Sequence, residues 1–136
     1  MPAEPSASFD CRATAAVLRS GASVALAGHV AALMSVLAMY HGGPSARIAW
    51  CGLLVWCAVV YLAMRVKIDA QFFELLATEP AEQLDGWLAD TGLRKNSRAR
   101  TIPERRRGAL RLWRALVAAV AIEIAMLLAA LVLLLA

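Results

Sequence analysis

The chain has 136 residues, 61% of them hydrophobic and 18% charged, with a net charge of +4 and a mean hydropathy of +0.64. Soluble domains sit near about 45 to 50% apolar and spread their charges along the chain. Here long uncharged windows alternate with one concentrated charged block, which excludes an ordinary soluble domain. The expectation is an all-α polytopic membrane protein, with three transmembrane helices and a short cytoplasmic amphipathic helix in a single membrane domain, residues 1–136.

Residues 1–12 read as a polar lead-in carrying Pro2, Pro5, Ser6 and Ser8. They hold Glu4 and Asp10 and lack a basic stretch, so no cleavable signal peptide is expected. Of the three cysteines, Cys51 and Cys57 would lie about 9 Å apart along one helix, beyond the reach of a disulfide. No C-x-x-C or Cys/His ligand spacing occurs, and neither a metal nor a cofactor is expected.

The first span is expected over residues 14–40, because no Lys, Arg, Asp or Glu occurs from Ser20 to Ala46. Within it Gly21, Ala25, Gly28, Ala32 and Ser35 recur at alternating spacings of four and three. That pattern puts them on one helix face, a seam where a second helix can approach closely. His29 stands beside it. His41, Gly42, Gly43, Pro44 and Ser45 then predict a tight turn, with His41 as an interface residue.

The second span is expected over residues 45–66. It is uncharged only from Ile48 to Met64, about 26 Å, with Trp50, Tyr61, Arg47 and Arg65 as anchors at its ends. Nothing breaks the helix before Pro80, so it should project to about residue 78. Phe72, Phe73, Leu75 and Leu76 then either dock on a neighbouring element or lie back on the lipid surface.

Residues 79–108 are expected to hold the amphipathic helix and a basic loop. Leu84, Trp87, Leu88 and Thr91 share one face, and Gly92 is placed to cap the end. Arg94, Lys95, Arg98, Arg100, Arg105, Arg106 and Arg107 follow, opposed by Glu104 alone. Lying between membrane segments without interleaved aromatics, this run is expected to contact anionic lipid and not nucleic acid.

Thr101-Ile102-Pro103-Glu104 is a capping-box pattern that starts the third helix at Ile102. This helix crosses the membrane within residues 109–136. From Ala115 to Ala136 it is about 33 Å long, enough for a hydrocarbon core of about 30 Å, and the chain is expected to end at the far interface.

Glu123 is the acidic residue inside that span. An ionised carboxylate at mid-bilayer costs about 2.5 to 3.5 kcal/mol on insertion scales, so it is a site candidate. As a neutral acid it could instead donate one hydrogen bond and act as glue between helices. His29 lies at a similar depth on a helix running in the same direction. A trio with Cys57 could be imagined as a metal site but lacks repeated ligands at short spacing.

The sequence therefore supports a non-enzymatic accessory or scaffold subunit, binding the lipid bilayer and other membrane subunits or copies of itself. The alternative is a small transporter or proton-conducting component using Glu123 with His29, and a weaker third is a sensor whose cytoplasmic segment binds a regulator. Of fourteen Lys and Arg, eleven lie from Arg65 to Arg114, which places that segment and the N-terminus in the cytoplasm and Ala136 outside, in a bacterial inner membrane. Reporter fusions after His41 and after Lys95 should face opposite sides. An outward-facing reporter after Lys95 would reverse the orientation.

Overall fold

A computed structural model describes residues 5–40, 42–78 and 101–135, together with the helical residues Gln83, Gly86 and Asp90. Among the described residues four helices have defined bounds: α1 (Pro5–Arg19), α2 (Gly21–Met39), α3 (Gly43–Leu76) and α4 (Ile102–Leu135). The expected amphipathic segment and loop, including Leu84, Trp87, Leu88, Thr91, Gly92, Arg94, Lys95, Arg98 and Arg100, lie outside the described residues, as does His41.

Three stretches are long and apolar enough to cross a bilayer: Ser8–Met39, Gly43–Leu76 and Ile102–Leu135. Within their uncharged windows the outer faces carry large exposed apolar side chains. On α2, Leu26, Val30, Leu33 and Leu37 recur at helical spacing and are exposed, opposite the buried seam. Such a surface would associate in water and is at home in hydrocarbon.

The packing follows a sevenfold register. Gly21, Gly28 and Ser35 on α2 are buried, as are Ser45, Gly52, Val59, Val66 and Phe73 on α3, and Ala109, Leu116, Glu123 and Ala130 on α4. A seven-residue repeat keeps one stripe of each helix turned toward its neighbours, the geometry of left-handed helix bundles. The layers show how the helices run. A Cβ on Gly21 would meet Val66 and Leu116, one on Gly28 would meet Val59 and Val120, and one on Gly52 would meet Ser35. Alpha-3 is therefore antiparallel to α2 and α4, which run together.

The ends of the helices follow local chemistry. Ser20 Oγ donates to Val17 O at 2.7 Å, a bond to the preceding turn that marks the small break between α1 and α2. Between α2 and α3, Gly42 and Gly43 both have positive φ, and Gly42 combines φ 71° with ψ −165°, a region open essentially to glycine. Glu104 accepts from the Thr101 backbone N–H at 3.0 Å, half of the expected capping box at the start of α4.

At 34 residues each, α3 and α4 are about 51 Å long, some 20 Å more than a hydrocarbon core needs. The excess forms a collar with α1. The lead-in over residues 5–12, expected as loose polar chain, belongs to this helix: Cys11, Thr14, Ala15 and Leu18 make an inward stripe buried with Val66, Ala70, Phe73, Leu76 and Ala109. Phe73 and Leu76 thus dock on neighbouring helices, while Leu75 stays exposed. Ion pairs Arg19–Glu74 and Arg106–Asp10, and a hydrogen bond from Ser8 Oγ to Ala77 O at 3.2 Å, clamp the rim.

Phe73→Ala, which empties a position that is 3% exposed, should cost about 3 to 5 kcal/mol, whereas Phe9→Ala at an exposed position of α1 should cost about 0.5 kcal/mol or less. Thermal unfolding in mild detergent measures both. Equal effects would mean that the collar does not hold α1 in place.

Candidate functional site

The five seam residues of α2 turn inward. Gly21, Ala25, Gly28, Ala32 and Ser35 are all buried, and the chain's own α3 and α4 supply the helices that approach them. Two further seam contacts are polar: Ser35 Oγ donates to Ala31 O at 3.0 Å, and Ser45 Oγ donates to Gly42 O at 2.9 Å.

Glu123 stands at the centre of this packing. Its sevenfold register with Leu116 and Ala130 carries it to the inner face of α4, where it is fully buried. Opposite it the α2 backbone comes close because residue 28 has no side chain. A Cβ on Gly28 would lie 3.1 Å from Glu123 Oε2, 3.0 Å from Val59 Cγ1 and 3.2 Å from Val120 Cγ2. Neither carboxyl oxygen finds a hydrogen-bond partner among the described residues. The interhelical hydrogen bond that glue would require is absent there.

His29 follows Gly28 and so points about 100° away from the seam, to an exposed position beside the residue that faces Glu123. Its Nδ1 faces the Ala25 carbonyl, which can only accept, so Nδ1 carries a hydrogen and Nε2 holds the lone pair of the neutral ring. The ring also meets Trp56 edge to face, centroids 5.9 Å apart at 88°. Trp56 Nε1 is itself buried without a partner among the described residues.

The structure thus sets Gly28 against the buried Glu123, leaves the neighbouring His29 exposed, and adds Trp56 as the ring that His29 meets. The signal for Trp56 was available: it precedes Val59 by three residues, one turn along the inner side of α3. Cys57 is exposed and takes no part, and no group of three His, Cys, Asp or Glu that could hold a metal occurs among the described residues. Of the basic residues expected at lipid, Arg106 pairs with Asp10 at 3.4 Å, Arg107 is exposed and Arg105 is half-buried at the start of α4.

Gly28→Ala should overpack this layer and cost about 1 to 3 kcal/mol, because the short, branched side chains of Val59 and Val120 and the Glu123 carboxyl would all have to give. Gly52→Ala meets only Ser35 Oγ at 3.6 Å and should be tolerated or slightly stabilising. Unfolding of both variants in detergent checks the contrast, and a harmless Gly28→Ala would show that the layer is loose.

Comparison of the chain with protein-family models, with curated proteins and with solved structures finds no match.

Proposed function

We propose that the chain is a small integral membrane subunit that packs against membrane partners or copies of itself, and whose chemistry is proton uptake and release at Glu123 with His29 assisting. The observation that carries this reading is the enclosed carboxyl, with both oxygens unpartnered among the described residues and an imidazole on the residue next to the glycine that faces it. Leaving a buried polar group unpaired costs about 1 to 3 kcal/mol, and that cost is a reason to look for a use.

The carboxyl has two states, a neutral acid and an anion, and the imidazole has two as well. A proton moving between them interconverts a neutral pair and an ion pair without changing net charge in the hydrocarbon. His29 is oriented for this by its Nδ1–H bond to Ala25, which leaves Nε2 as the nitrogen able to take a proton. The pair is read as a proton-handling group, set against a layer formed by Gly28, Val59 and Val120.

The scaffold reading has its own support in the exposed apolar faces, of which Leu26, Val30, Leu33 and Leu37 on α2 are an example. These are the surfaces a membrane partner would cover, because the small-residue seam is occupied within the chain. The bias of basic residues further supports a cytoplasmic collar and a bacterial inner-membrane location.

Glu123→Gln separates proton handling from packing. In liposomes under an imposed pH gradient, Glu123→Gln should abolish proton movement as fully as Glu123→Ala, because the amide cannot titrate. Infrared difference spectra should show a carboxyl band that responds to bulk pH and is missing in Glu123→Gln. Proton movement retained by Glu123→Gln, or a carboxyl band indifferent to bulk pH, would remove the proton role and leave packing alone.

A further inference from the structure

Between α2 and α3 lies a cleft of about 580 Å³, bounded by Arg19 and Glu74 at the collar and by His29 at its inner end. Its walls are small or aliphatic, including Ala25, Val60 and Ala63, and its lateral edge is formed by the exposed Ala22 and Met64. The cleft therefore opens sideways, where the apolar outer faces of the helices meet their surroundings. Its volume falls in the range of small-molecule sites, about 300 to 1,000 Å³.

Charge is confined to one end. Arg19 is engaged with Glu74, but Lys67, exposed on the same rim, makes no ion pair among the described residues. Gln71 stands one turn beyond it and offers amide donors. The site is thus apolar along its length and cationic at one end, at the level where the apolar stretch of α3 gives way to the charged collar.

We propose that this cleft seats one anionic phospholipid, with an acyl chain along the apolar walls toward His29 and the phosphate held by Lys67 and Gln71. Charge argues for the anion, since a basic pocket between membrane helices at the cytoplasmic side suits an acidic headgroup. The proposal rests on the membrane reading and on the collar being cytoplasmic, but not on proton chemistry at Glu123.

Native mass spectrometry of the full chain in mild detergent, with phosphatidylglycerol or phosphatidylcholine added at equal concentration, tests it. One bound lipid per chain is expected, with phosphatidylglycerol favoured about fivefold, the effect of one lysine near an anionic headgroup. Lys67→Gln should bring the two lipids near parity, Lys67→Arg should keep the preference, and Ala63→Phe, which fills the wall, should weaken both. Parity in the wild-type chain would overturn the proposal. So would a preference unchanged in Lys67→Gln, which would assign it to the basic residues beyond the cleft, and so would a dimer formed in place of the lipid adduct. Because Lys67 is exposed, its variants should keep the wild-type circular dichroism, and they decide the matter even if Ala63→Phe unfolds.

Discussion

A close approach of the three long helices, at Gly28, is also the place where a carboxyl group is enclosed, and the two facts depend on one another. Glu123 occupies a core position of the sevenfold register, and the space for its side chain exists because Gly28 faces it. A Cβ at 28 would stand 3.1 Å from the carboxyl oxygen, so the residues at 28 and 123 constrain each other across the interface. Layers on either side are filled conventionally, by Leu116 and Val66 toward the collar and by Ala130 toward the other end, all of them buried. The unpartnered acid is held by packing above and below it, while its own interactions disfavour the arrangement.

The collar gives the bundle a second point of attachment. In hydrocarbon, apolar burial does not drive helices together, so association there relies on close packing of small residues and on polar contacts. In water the hydrophobic effect would act on the collar, where the stripe of Cys11, Ala15 and Leu18 on α1 is buried with Val66, Ala70 and Phe73. Alpha-1 continues α2 through the shallow break at Ser20, so fixing α1 in the collar also fixes the direction in which α2 leaves it. The register of Gly28 against Glu123 is therefore determined from both ends of α2.

Much of this was legible in the sequence, for identifiable reasons. Uncharged windows gave the three long helices, the glycine pair gave the turn before α3, and Thr101 to Glu104 gave the start of α4. The α2 seam was visible because its residues are small, whereas the matching stripes of α3 and α4 follow the same spacing with valine, leucine and phenylalanine, which carry no size signal in an apolar background. Depth placed Glu123 and His29 together, but facing depends on helix rotation, which the register of Ala109, Leu116, Glu123 and Ala130 could have supplied. Alpha-1 was missed because prolines and charges dominate its start. Its inward stripe at residues 11, 14, 15 and 18 has helical spacing but is too short to stand out. Lys67 was read as part of a general basic excess, and its place on the rim of the cleft is a tertiary fact.

His29 joins the two features of the bundle. Gly28 faces the seam and the carboxyl, and the next residue is turned about 100° around the helix, which brings the imidazole to the inner end of the cleft between α2 and α3. The ring thus follows the residue that faces Glu123 and itself lines the cleft. Coulomb interaction between the two groups depends on the medium around them, being several-fold stronger in an apolar surrounding than beside water. A hydrocarbon chain along the cleft would exclude water from the ring and strengthen the interaction of an imidazolium with an ionised Glu123, while making each charge costlier to form alone. If both proposals hold, occupancy of the cleft and the protonation state of the pair would be linked through one side chain, held in place by its bond to Ala25 and its edge contact with Trp56.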